Sequence, residues 1–181
     1  MSRIFRAVLA LLICASAYGQ NAESKKPPQA TPPPEVKRTV ESMVGTWSGK
    51  MTAKVPGFPA EAFDWEMDCK TVALGAGVSC TNAGKASIGV MAESCLLAYD
   101  PEAKAVHYMC VTSMGEVHDH KGHRTDEKTF EFEPLRAGMM GQLVTETNRW
   151  SFPDANTIDK TSLVTLADGT SMSFEFIGKR H

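Results

Sequence analysis

The sequence lacks most of the signatures that would name a chemistry. It contains no H-E-x-x-H, no G-x-S-x-G and no G-x-x-x-x-G-K-[ST], so zinc-protease, nucleophile-elbow and P-loop readings have no anchor. Gly75-Ala76-Gly77 lacks the third glycine and the following helix of a dinucleotide site. No C-x-x-C occurs, which removes support for thiol redox chemistry and for a thiolate zinc site. An excess of charge is also missing. Lys plus Arg number 19 against 21 Asp plus Glu, for a net charge of -2, and no basic stripe appears, so a nucleic-acid partner has no electrostatic footing. The apolar run Ala7 to Ile13 falls far short of the ~20 residues that cross a bilayer as a helix, so no transmembrane span is expected. Enzyme activity is not expected either.

What is present suits one soluble domain with attachments. The chain has 181 residues, 43% apolar and 22% charged, close to ordinary globular usage. Arg3 and Arg6 precede the apolar run, and Ala15-Ser16-Ala17 offers an A-x-A cleavage site, so residues 1–19 read as a secretory signal peptide. Cys14 invites a lipoprotein reading, but Ile13 stands where a lipidation signal places a small residue. Residues 20–39, with Pro27, Pro28, Pro32, Pro33 and Pro34, read as an extended, disordered proline-rich linker. The domain then occupies residues 40–181 of an exported protein, periplasmic or extracellular.

After Val40 apolar residues alternate, and helical spacing never holds for long. Phe63, Trp65, Met67 and Cys69 against Asp64, Glu66, Asp68 and Lys70 make a half-buried strand. Ten strands are predicted, over 44–54, 61–72, 78–83, 87–99, 105–113, 116–124, 128–134, 142–150, 157–166 and 171–180. Asp100-Pro101, Met114-Gly115, Ala137-Gly138, Pro153-Asp154 and Asp168-Gly169 supply turn chemistry between them. Consecutive antiparallel strands in this number point to an all-β, up-and-down barrel of about eight to ten strands.

Four cysteines remain beyond the signal segment, and export makes disulfides the default. Residues facing each other across a hairpin share its midpoint. Cys69 and Cys80 centre on Leu74-Gly75, and Cys95 and Cys110 centre on Pro101 to Ala103; both centres fall in predicted turns. The pairs 69–80 and 95–110 follow, since opposed strand residues lie within disulfide reach. A Cys80–Cys95 link is expected to break this registry.

Met43-Val44-Gly45-Thr46-Trp47-Ser48-Gly49 resembles the G-x-W opening of lipocalin-like (calycin) barrels. Leu97-Ala98-Tyr99-Asp100-Pro101, the later His118-Asp119-His120-Lys121-Gly122 and the ending Phe174-Glu175-Phe176-Ile177-Gly178-Lys179-Arg180 are similar to the bacterial DUF1579 family of unknown function. The resemblance covers roughly residues 40 to 180. It implies a lipocalin-like barrel in which a late Arg packs on the opening Trp, and it implies no activity.

Charge sets the expected faces. Glu93 placed toward water puts Val90, Ala92, Ser94, Leu96 and Ala98 inside, with Tyr99 and the 95–110 bridge outside. His107, Met109 and Val111 then face inward, as do His118 and His120, while Asp119 and Lys121 face out. Phe130 and Phe132 join them, and Trp47, Phe63, Trp65, Phe174 and Phe176 complete an aromatic interior. The candidate ligand-binding residues are thus Trp47, Trp65, His107, Met109, His118, His120, Phe130 and Phe132. His107, His118 and His120 could share a metal or a haem iron. They could equally contact an organic ligand, or sit at the barrel mouth binding nothing. A haem-binding nitrobindin-like barrel is a relative in fold, but its ligand is expected on a late strand, and 157–166 and 171–180 carry no histidine.

The leading functional expectation is a barrel that holds a small apolar molecule without chemistry of its own. A metal or haem protein is the second class, and an interaction module displaying its loops is the third. The residues fix neither the ligand, nor a cofactor, nor the oligomeric state.

Overall fold

The structure, a computed structural model, describes residues 32–139 and 141–181. The expected signal peptide, and the linker as far as residue 31, lie outside the described residues. No described helix is long and apolar enough to cross a membrane.

Helix α1 (Pro34–Met43) comes first and departs from the expected linker, which ran to residue 39. Its signal is present in the sequence: Val36, Val40 and Met43 recur at helical spacing and are buried, and Pro34 stands at the first turn, where a missing N–H is harmless. Eleven strands follow: β1 (Gly45–Lys54), β2 (Glu61–Val72), β3 (Gly77–Ala86), β4 (Gly89–Asp100), β5 (Ala105–Thr112), β6 (Val117–Arg124), β7 (Thr129–Phe132), β8 (Leu135–Met139), β9 (Gln142–Asp154), β10 (Thr157–Leu166) and β11 (Ser171–Arg180). β1 to β6 pair in chain order, β7 and β8 share one position beside β9, and β9 to β11 return to β1. All pairings are antiparallel, and they close a ten-strand barrel. β8 was not anticipated, because Ala137-Gly138 reads as a turn; these residues instead continue a strand opposite Val144 and Leu143.

One end of the barrel is plugged. Trp47 is fully buried, donates from Nε1 to the Met43 carbonyl at 2.9 Å, and lies under the Arg180 guanidinium at 4.5 Å. The late Arg on the opening Trp is therefore present. Gly45, at φ +132, leaves room for the Arg180 stem, and Gly49 lets β1 approach β11 where any Cβ would collide with the Ile177 carbonyl. Arg180 also donates to the Ser42 carbonyl, and Arg124 Nε to Thr39 Oγ1 at 3.1 Å, so both arginines tie α1 to the strands beneath it.

The disulfides join Cys69 to Cys80 and Cys95 to Cys110, the pairs chosen by the hairpin centres. Their facing differs from expectation. Cys95, Leu97, Val106, Tyr108 and Cys110 are buried, whereas Val90, Met109 and Val111 are exposed, so β4 and β5 present the opposite faces. The cause is Glu93. It points inward and accepts a hydrogen bond from Asn82 Nδ2 at 3.0 Å, so its charge does not mark the solvent side. On β6 the expected facing holds, with His118 and His120 buried, and on β7 Phe130 and Phe132 are buried.

Candidate functional site

The barrel encloses a cavity of about 670 Å³ at the end opposite the Trp47 plug. Alternation along β1, β2, β4 and β11 builds its walls from Met51, Phe63, Trp65, Met91, Phe174 and Phe176, which makes them apolar and aromatic. The loops between β1 and β2, β3 and β4, and β5 and β6 form the mouth, where Phe58, Ile88 and Met114 remain exposed.

The depth of the cavity is polar. Lys160 extends from β10, and its ammonium sits 3.3 Å from the Tyr108 hydroxyl and 4.9 Å from the Trp150 ring centre, with no ion pair to a carboxylate among the described residues. Its side chain lines the cavity, and burial pulls its pKa below that of an ordinary lysine. Burial likewise pushes the Tyr108 phenol well above its usual value. Beneath this pair Tyr108, Phe130, Phe132 and Trp150 form a continuous aromatic cluster, with ring centres 4.6 to 6.0 Å apart.

On the neighbouring wall β6 and β9 bring three ionisable groups together. His118 Nδ1 lies 2.8 Å and His120 Nε2 3.3 Å from Glu146 Oε2. Exposure is 6% for His118, 2% for His120 and 7% for Glu146. Burial opposes the Glu146 charge, but the two imidazoles and Ser162 outweigh it and hold the carboxyl well below the usual range. The same contact raises the His118 pKa, against the effect of burial. His118 and Glu146 thus favour each other's charged forms, with His120 beside them. Although these distances are those of ion pairs, no N–H is well aligned on Oε2.

The sequence-expected residues divide among four places. Trp65, His118 and His120 line the cavity. Trp47 belongs to the plug, and Phe130 and Phe132 to the aromatic cluster below the cavity. His107 and Met109 are corrections: both face outward. His107 Nδ1 meets Asp119 Oδ1 at 2.9 Å on the outer surface, Met109 is 39% exposed, and neither reaches the lumen. The reason is strand register. β5 sets Tyr108 opposite His120 and Cys110 opposite His118, so His107 cannot share their face or a metal ion with them. The 95–110 bridge moves the other way, since Cys110 contributes to the cavity wall.

Glu146, Lys160, Tyr108, Asn148 and Ser162 were missed, yet a signal existed. Val144, Trp150 and Phe152 are buried and share a parity on β9 that places Glu146 and Asn148 inside, and Ile158 and Val164 do the same for Lys160 and Ser162 on β10.

Comparison with known proteins agrees with this architecture. The sequence profile of a family described as "Protein of unknown function (DUF1579)" matches residues 32–177. Among curated proteins none matches the sequence. The S-type phycobiliprotein lyase CPES of Guillardia theta superposes with a TM-score of 0.60 at 13% identity, over 81% of this chain and 93% of that one. Rv2717c of M. tuberculosis gives 0.61 at 13% identity, over 83% of this chain and 99% of that one. At such identities the likeness concerns the fold alone.

Proposed function

The chain belongs to the DUF1579 family, and we propose that it is an exported binding protein that holds one small, mostly apolar molecule in its barrel, polar end toward Lys160. The observation that carries this reading is the cavity of about 670 Å³, lined mostly by apolar and aromatic side chains, with Lys160 at its depth and the polar groups of β6 and β9 on one side. Volumes of ~300 to 1,000 Å³ with few convergent polar groups are those of ligand pockets. The exposed Phe58, Ile88 and Met114 at the mouth give an apolar guest a route past the rim. A lysine with no carboxylate partner among the described residues suits an acidic or strongly hydrogen-bonding end on the guest. Export is supported by the arginine-flanked apolar run before Ala15-Ser16-Ala17 and by two disulfides, which persist in oxidising compartments. The likeness to a phycobiliprotein lyase adds a barrel of the same kind and no substrate.

Native mass spectrometry of the protein purified from its own host tests the reading. A released small molecule, with Trp65 fluorescence changing as it leaves, is the expected result. Protein that carries nothing, and that does not take up environment-sensitive apolar dyes, would overturn it.

A further inference from the structure

An apolar guest leaves one wall of the cavity unexplained. We propose that His118, His120 and Glu146 form a binding site for a single divalent transition-metal ion of the zinc class. The site stands whether or not the lumen carries an organic guest.

Alternation on β6 places His118 and His120 on one face with ring centres 5.7 Å apart, and β9 delivers Glu146 to the same point. One ligand atom from each residue lies within 4.8 Å of the other two, a span that one ion can bridge. The carboxylate is oriented for this. Glu146 Oε1 accepts from Ser162 Oγ at 2.8 Å and from Asn148 Nδ2 at 3.0 Å, which fixes the group and turns Oε2 toward the imidazoles. There Oε2 is buried with no donor in line.

Asn148 sharpens the point. Its amide must keep nitrogen toward Glu146, because the flipped form would set two oxygens against each other. The same nitrogen lies 3.1 Å from His120 Nε2, which sets that ring atom to accept from it. A nitrogen lone pair and a carboxylate oxygen therefore occupy one small space 3.3 Å apart. A dication placed between them satisfies both at once.

The donor set fits the ion. Two imidazoles and one carboxylate are ligands that Zn²⁺ accepts, and Fe²⁺ shares the same set. Ser162 and Asn148 form the outer layer that holds a ligating carboxylate. On its far side His118 Nε2 faces the buried Glu116 carboxylate at 3.8 Å, an ion-pair distance and not a hydrogen bond. The remaining coordination positions open onto the cavity, which all three ligands line. Cys95 and Cys110 lie nearby but are bonded to each other and offer no thiolate.

The test uses the host-purified protein, stripped with a chelator and titrated with Co²⁺, then competed with Zn²⁺. Ligand-field absorption saturating at one equivalent and displaced by Zn²⁺ is expected. E146Q and H120Q should each weaken binding by about tenfold or more, and H107A should leave it unchanged. X-ray absorption on the zinc-loaded wild type needs no variant and should count two imidazole ligands. No absorption, binding indifferent to E146Q and H120Q, loss of binding in H107A, or a shell without imidazole would each overturn the proposal.

Discussion

Cys80 and Cys95 stand directly opposite each other across β3 and β4, yet each is bonded to a cysteine on its other side. The four sulfurs form a row over β2, β3, β4 and β5, with Cys69 facing Cys80, Cys80 facing Cys95, and Cys95 facing Cys110. A Cys80–Cys95 link would thus preserve the strand register, contrary to the expectation drawn from hairpin midpoints. Removing the outer two cysteines in the double variant C69S/C110S should therefore produce a Cys80–Cys95 disulfide in a folded barrel. Non-reducing peptide mapping checks this, and two free thiols in the folded variant would contradict it.

The second bridge should matter beyond stability. In the chain-entropy picture its loss in C95S/C110S removes ~3 kcal/mol, read as a lower denaturation midpoint at unchanged slope. Because Cys110 contributes to the cavity wall, the variant should also change affinity for an apolar probe. The outward-facing bridge first expected would have left that affinity alone.

Lys160 predicts a pH effect whose sign is fixed. Burial lowers its pKa in the folded state, with Glu93 and Glu146 opposing, below the ordinary value of 10.5. Between the two values the unfolded chain binds more protons, so stability rises with pH across that window; below it the destabilisation is constant. K160M removes the effect. The melting temperature of K160M should exceed that of the wild type near neutrality, and the gap should shrink as pH climbs toward 10.5. A gap that does not vary with pH would mean that the ammonium is well solvated.

How far the sequence discloses this molecule depends on which residues report a face. Strands with a one-sided apolar pattern, such as Phe63, Trp65 and Met67 on β2, are legible without ambiguity, and turn residues place most hairpins. β4 and β5 mislead because both faces carry apolar residues: Leu96 and Leu97 are adjacent, as are Met109 and Cys110. The choice then fell to Glu93, a charge that the lumen accepts through Asn82. The rest of β4 and all of β5, including the place of His107, inherit the inversion, whereas β6, whose face is set by Asp119 and Lys121, does not. Glu146 was legible from its apolar neighbours on β9. Its meeting with His118 and His120 was not, because the short β7 and β8 between them hide the spacing of β6 and β9.

The plugged end should answer to Arg180. Its guanidinium covers Trp47 and donates to the Ser42 carbonyl, so R180M loses a cation–π contact and a charge-assisted hydrogen bond together. A destabilisation of about 2 to 3 kcal/mol is expected, with greater solvent access to Trp47 in fluorescence quenching. Unchanged quenching would show that α1 stays seated without it.

Ala53 offers a way to separate the lumen from the ions at its depth. It is an inward residue of β1, paired with Phe174 and bordering the cavity, and is not among the residues that touch Glu146. A phenylalanine there enters open space, so A53F should escape most of the ~1 to 3 kcal/mol that overpacking imposes on a filled core. Its melting temperature should stay within a few degrees of the wild type. Binding of apolar dyes should fall at least about tenfold, as the ring takes volume from the guest. Cobalt titration should be unaltered, because His118, His120 and Glu146 keep their places. If dye and cobalt binding were lost together in a stable A53F, the two would share one site, and a separate apolar lumen above the charged cluster would have to be given up.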